Sequence, residues 1–181
     1  MSFEYSYDSL GRVREQTFPN GLKLKFVYDS YGNHVQTLKG TSNVWKFLSF
    51  DGKTQKEQIG KDFVRTTVLD SCGYPLSISL MKGTKMLHEM NFHYDPQTGN
   101  LMSRRGMEPE GSPEKFTYDD LDRLTSYTEL DHYVHNMEYD KYGRIKYKYG
   151  VGNYEVGHGH NVMQVSNELD SITGYPQAVL Y

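Results

Sequence analysis

The chain has 181 residues, of which 36% are apolar and 14% aromatic, with 16 Tyr and 17 Gly; that length suits one or two domains, and that composition favours strands and tight turns over helices. A net charge of −3 with both signs interspersed gives no basic footprint for nucleic acid and no polybasic patch for a membrane. No apolar run nears the roughly 20 residues needed to span a bilayer, and the single cysteine, Cys72, excludes an internal disulfide.

The N-terminal MSFEYSYDSL lacks the charged and apolar regions of a secretion signal. It opens instead a series of self-similar segments. YDSLGRV begins at Tyr7, YDSYGNHV at Tyr28, a degenerate FDGKTQ at Phe50 and LDSCGYPL at Leu69. YDPQTGNL follows at Tyr94, YDDLDRL at Tyr118 and YDKYGRI at Tyr139, and His160-Asn161 falls where the next copy is due. About eight units of roughly 22 residues account for the chain, so residues 1–181 are expected to form one array without a linker.

Each unit has a physical logic. Asp followed three residues later by Gly is the signature of a type I turn, in which the Asp carboxylate accepts backbone N–H bonds. Gly then takes the left-handed conformation that closes a three-residue hairpin loop. In the first unit the loop is Ser9-Leu10-Gly11, with Asp8 opposite Arg12 and Tyr7 opposite Val13. The same assignment sets Asp119 against Arg123 and Asp140 against Arg144. Asp122 replaces the glycine in one unit, which its tolerance of the left-handed region allows. Val35, Leu76 and Leu101 each arrive one position late, so their loops or bulges are expected to differ. The turn positions of the array are therefore Tyr7, Asp8, Gly11 and Arg12; Tyr28, Asp29 and Gly32; Asp70 and Gly73; Tyr94, Asp95 and Gly99; Tyr118, Asp119 and Arg123; and Tyr139, Asp140, Gly143 and Arg144. All are expected to be structural.

Before each turn, alternation predicts a strand with one aromatic face. Tyr5 precedes Tyr7 by two, Phe26 precedes Tyr28, Phe92 precedes Tyr94, Phe116 precedes Tyr118 and Met137 precedes Tyr139, with mostly polar residues between. A second turn signal separates successive copies. Pro19-Asn20-Gly21 is the clearest; Lys39 to Asn43, Lys82-Gly83-Thr84, Gly106 to Pro113, Asp131-His132 and Gly150 to Asn153 follow. The expected fold is all-β, an antiparallel meander of roughly 15 or 16 strands of about 6–8 residues that forms a curved, twisted sheet or partial shell. The terminal strands around Phe3–Tyr7 and Val179–Tyr181 are the expected edges.

Reactive groups have plainer readings. His158 and His160 lie two apart on one strand face, a spacing that can ligate a metal, but no carboxylate or cysteine stands at a matching distance and His160 has a repeat position. Asp119, Asp120 and Asp122 lack the spaced oxygens of a calcium loop. Cys72 has no identifiable base beside it and shares a motif position with Leu10, Tyr31, Leu121 and Tyr142, which predicts packing. A catalytic carboxylate pair would not recur in every unit. No enzyme activity, cofactor or metal is expected.

These residues resemble the YD repeat of the Rhs family, which includes bacterial polymorphic toxins, the C component of insecticidal toxin complexes, and the teneurins. The motif Y-D-x-x-G-R-L recurs closely in three units, and the run His160 to Val165 resembles a degenerate H-A-V-T-S-V stretch. The resemblance implies repeats that spiral into a hollow shell, enclosing an effector domain or displaying an extracellular surface, with a secreted or cell-surface location. The expected partners are the rest of the array, an enclosed effector, or a glycan or protein bound by the sheet, besides self-association. The family's self-cleavage core has no counterpart here. The ending Gln177 to Tyr181 reads as a strand entering another turn, so the chain is expected to be cut from a longer array at one end or both.

Overall fold

The computed structural model describes residues 2–107, 112–128, 133–157 and 162–166. The chain divides after Asn91 into two compact units. The first holds β1 (Glu4–Tyr7), β2 (Val13–Thr17), β3 (Lys23–Tyr28), β4 (His34–Lys39), β5 (Ser42–Phe50), β6 (Thr54–Ile59), β7 (Phe63–Leu69), β8 (Pro75–Lys82) and the start of β9 (Lys85–Tyr94). The second holds β10 (Leu101–Arg105), β11 (Glu114–Tyr118), β12 (Leu124–Thr128), β13 (Val134–Tyr139), β14 (Ile145–Lys148), β15 (Gly152–Val156) and β16 (Val162–Ser166). Within each unit every strand pairs antiparallel with the next in sequence. The protein is an all-β meander, without a helix among the described residues.

The hairpin register explains the repeat. Tyr7 faces Val13 while Ser6 faces Glu15, so Arg14 is an extra residue in a bulge. The same irregularity recurs where Tyr28 faces His34, Leu69 faces Pro75, Tyr118 faces Leu124 and Tyr139 faces Ile145. This corrects one expectation. The turns after Tyr28 and Leu69 do not differ from the others; Val35 and Leu76 arrive late because they are the bulge residues themselves. Among the described repeat turns, only that after Tyr94 is longer, with Asp95 N–H bonded to Asn100 O. A second correction concerns the last copy. His160 and Asn161 lie outside the described residues, but Val156 faces Val162 across the same bulge, so Val156 stands where the repeat tyrosine stands elsewhere.

In several strands alternate residues are half-covered. In β13, His135, Met137 and Tyr139 are shielded while Val134, Asn136 and Glu138 are open; β11 alternates likewise around Phe116 and Tyr118. No apolar side chain among the described residues is fully buried, because a single layer covers each side chain only with its lateral neighbours. Tyr5 and Tyr7, expected on the aromatic face, are exposed on β1, which pairs with β2 alone among the described strands. Val179–Tyr181, the stretch from 108 to 111, Asp131-His132 and His158 lie outside the described residues.

Candidate functional site

The recurrent chemistry sits at the turns. Asp8 N–H donates to Arg12 O at 2.9 Å and Gly11 N–H donates to Asp8 O at 3.1 Å, which closes the three-residue loop. Asp8 Oδ1 accepts the N–H groups of Leu10 and Arg12, and Oδ2 accepts Arg12 Nε at 2.7 Å. Asp119 holds Leu121 and Arg123 in the same way, and Asp140 holds Tyr142 and Arg144. Asp29 repeats the pattern with Asn33 in place of the arginine. Asp70 Oδ1 caps Cys72 and Tyr74, and Asp95 Oδ1 caps Gln97 and Thr98. Asp122 has φ 58°, the left-handed value that glycine takes in its sister turns, and its carboxylate accepts Asn100 Nδ2 at 2.7 Å.

Convergent donors favour the ionised carboxylate. The Arg12 N–H holds Asp8 below the usual carboxyl value, helped by its guanidinium. Asn33 does so for Asp29, the Thr54 N–H for Asp51, the Thr98 N–H for Asp95 and the Arg123 guanidinium for Asp119. At Asp140, burial pushes the other way but is outweighed by the Arg144 donors.

Two of the charged turns also reach the next repeat, whereas Arg144 lies over Tyr142 of its own turn. Arg12 lies 4.4 Å from the ring centroid of Tyr28, and Arg123 lies 4.7 Å from that of Tyr139. The tyrosine hydroxyls reach back: Tyr28 Oη donates to Val13 O, and Tyr139 Oη donates to Leu124 O, each at 2.9 Å. Tyr118 Oη donates to Leu101 O although Asn100 precedes it in place of an arginine, and burial raises the Tyr118 phenol above its ordinary pKa. Arg123 Nη1 further donates to Asp140 O at 3.4 Å. Gly143 below it has φ 83°, the left-handed conformation that favours glycine there. The motif is thus a clasp, in which the Asp orients an Arg, the Arg covers the next Tyr, and that Tyr bonds back.

A second cluster lies in the first unit and escapes the repeat pattern. Glu57 is the most deeply covered charged side chain described, 5% exposed, and pairs with Arg65. It also accepts Trp45 Nε1 at 3.0 Å. Trp45 stacks on His34 at 4.9 Å, and His34 bonds the buried Thr37. Nothing in the turn motif announces these residues; the one available signal is the sole tryptophan centred in a strand.

Cys72 corrects a third expectation. It is exposed, as are Leu10, Tyr31, Leu121 and Tyr142 at the same loop position. That position lies at the turn tip and is open to solvent, so the packing expected of Cys72 is not found. Among the described residues no group of three or more His, Cys, Asp or Glu side chains is placed to hold a metal ion, and no helix is long and apolar enough to cross a membrane.

These features define an antiparallel YD-repeat meander. No family model matches the sequence, and no curated protein matches it. Among solved structures, a chain of the Photorhabdus luminescens Tc holotoxin pore is similar with a TM-score of 0.61 and 19% identity, over 81% of this chain and 9% of that one. A chain in the crystal structure of TcdB2-TccC3-Cdc42 is similar with a TM-score of 0.65 and 18% identity, over 86% of this chain and 10% of that one. The protein shares the fold of part of these toxin-complex chains, and it spans about a tenth of their length.

Proposed function

We propose that residues 1–181 are a continuous, non-catalytic segment of a longer YD-repeat array, and that the intact array forms a shell that encloses or scaffolds an effector domain. One observation carries the reading: repeats are clasped to their neighbours at Tyr28 and Tyr139, yet no apolar side chain among the described residues is fully buried. A sheet of this kind is complete only when further layers or turns of the same array shield its apolar side. The fold match to a tenth of much larger toxin-complex chains supports the same reading. The turn carboxylates are engaged by backbone and arginine donors, as a scaffold role requires. The remainder of the array and an enclosed effector are the partners, and the location is secreted or cell surface. Expression of the reading frame extended in both directions, followed by electron cryo-microscopy, tests it. A closed β-shell around internal density is expected. An extended protein whose apolar face is instead capped by helices overturns it.

A second reading, a surface module that binds glycan or protein, draws on the turn tips, where Leu10 is 75% exposed and Tyr31 is 90% exposed. Exposed tyrosines stack on sugars and anchor protein contacts. Saturable binding of the chain to a glycan array, lost in Tyr31→Ala, would favour it.

A further inference from the structure

We propose that Asn20-Gly21 is a self-modification site, and that loss of ammonia there loosens the first repeat from the second. The two residues form the tip of the turn that joins β2 to β3, and both are exposed. Phe18 N–H donates to Leu22 O at 2.8 Å, and Gly21 N–H donates to Phe18 O at 2.8 Å. Asn20 Oδ1 accepts the Leu22 N–H at 3.1 Å. That bond folds the carboxamide back along its own chain, toward the Gly21 peptide, and draws electron density from the carbonyl carbon. Glycine adds no obstruction, since even a Cβ built at Gly21 would meet nothing within 4 Å. Every other described asparagine precedes a residue with a bulkier side chain, such as His34 after Asn33 or Leu101 after Asn100.

The step consumes only water. The Gly21 nitrogen gives its proton to hydroxide and attacks Asn20 Cγ. The new N–C bond closes a cyclic imide, the Cγ–Nδ2 bond breaks, and Nδ2 leaves with a proton as ammonia. Donation from the Leu22 N–H stabilises the charge that gathers on Oδ1 as the bond forms. Water then opens the imide. Opening at the side-chain carbonyl leaves an ordinary aspartyl residue, whereas opening at the main-chain carbonyl leaves an isoaspartyl linkage, which runs the backbone through Cβ and adds a methylene to it. Before any of this the Gly21 N–H has to leave Phe18 O, so the reaction waits on opening of the turn, and whatever holds the turn shut sets the rate. Pairing of Thr17 with Lys23 and Glu15 with Lys25 extends from this turn, and beyond it Arg12 covers Tyr28, whose Oη donates to Val13 O. The coupling runs both ways. An extra methylene in so short a loop displaces Leu22 O from the Phe18 N–H and shifts β3 against β2, which draws Tyr28 away from Arg12. The change is irreversible, so it times the contact between the first two repeats.

The test incubates the full chain in mildly alkaline buffer beside a mildly acidic control, and follows every asparagine by peptide mapping, mass spectrometry and enzymatic isoaspartyl labelling. Acid and isoaspartyl forms are expected at Asn20 ahead of all other asparagines, faster in the alkaline sample, and absent from Asn20→Gln. Tyr28→Phe leaves the loop untouched and should speed the reaction at Asn20 about fivefold, the factor that one ordinary hydrogen bond contributes to a local opening equilibrium. Amide hydrogen exchange of the purified isoaspartyl form should be faster in β2 and β3 and unchanged in β6 and β7. Asn20→Asp carries the new charge without the methylene and should exchange as the unmodified chain does. Earlier modification at another asparagine, an Asn20 that survives alkaline incubation, an unchanged rate in Tyr28→Phe, native protection of β2 and β3 in the isoaspartyl form, or equal loosening in Asn20→Asp would each overturn the proposal.

Discussion

The Arg123 guanidinium lies 4.7 Å from the centre of the Tyr139 ring, while its Nε is held at 2.6 Å by Asp119 Oδ2. An aspartate in one turn thus fixes the environment of the tyrosine that opens the next, and the repeat is cooperative between neighbours rather than a row of independent hairpins.

That coupling is measurable. Tyr139→Phe keeps the ring under Arg123 but loses the bond to Leu124 O, and should cost about 1 kcal/mol. Arg123→Met removes the cation and its tie to Asp119. The double variant should be less destabilised than the sum of Arg123→Met and Tyr139→Ala, with a coupling of about 0.5–1 kcal/mol. Urea melts of the four chains measure it, and strict additivity would show that the two repeats do not communicate through this pair.

The strand pattern and the turns were legible in the sequence because both are local. Alternation around Phe116 and Tyr118 and the Asp-x-x-Gly spacing at Asp140 need no knowledge of distant residues. The clasp was not, because the stacking of Arg12 on Tyr28 depends on the register of β2 against β3, which the intervening turn at Pro19 to Gly21 sets. The bulge was hidden for a related reason. Val35 reads as a late core residue until the pairing of Tyr28 with His34 reveals it as the extra one. Motif equivalence with Leu10 and Tyr31 points to shared packing for Cys72, whereas all three lie exposed at turn tips.

Acid should unfold the protein through its turns. Asp8, Asp29, Asp51, Asp95, Asp119 and Asp140 all lie below the ordinary value of 3.8. The unfolded chain therefore takes up protons first as pH falls. The stability these carboxylates contribute is complete above their unfolded value of about 4 and disappears as pH drops through the lowered folded values. Tm should be flat with respect to these groups from pH 7 to 5 and should fall steeply below pH ~4. Asp119→Asn combined with Asp140→Asn should start lower at pH 7 and fall less on acidification. A Tm that holds steady to pH ~2.5 would contradict the role given to the carboxylates.

The Glu57 cluster carries its own reporter, since Trp45 is the only tryptophan. Glu57→Ala strands the indole N–H and one side of Arg65. The cost should be about 1–3 kcal/mol, set by the unsatisfied donors and softened by water around Arg65. Glu57→Gln keeps an acceptor for Trp45 and should lose less. Guanidinium melts followed by Trp45 fluorescence rank the variants, and equal stability of the alanine and wild-type chains would show that the buried carboxylate contributes nothing.

Association is the remaining expectation, and the open edge decides where to look. β1 pairs with β2 alone among the described strands, and Tyr5 and Tyr7 on it and Phe3 just before it are exposed. An edge strand with unpaired backbone groups and aromatic side chains is a template for another chain. The half-covered apolar face adds a second surface that water contacts unfavourably. Light scattering over a concentration series, with reductant present because Cys72 is exposed, should show a mean mass that rises with concentration. Tyr5→Lys places a charge on the edge without touching a turn and should shift that rise to at least several-fold higher concentration if β1 is the contact. Unchanged association in Tyr5→Lys would move the contact to the apolar face. A strict monomer across the whole series, with dye binding that reports an open aromatic surface, would show that a single uncovered layer is stable in water and would remove the physical ground for assigning this chain to a larger array.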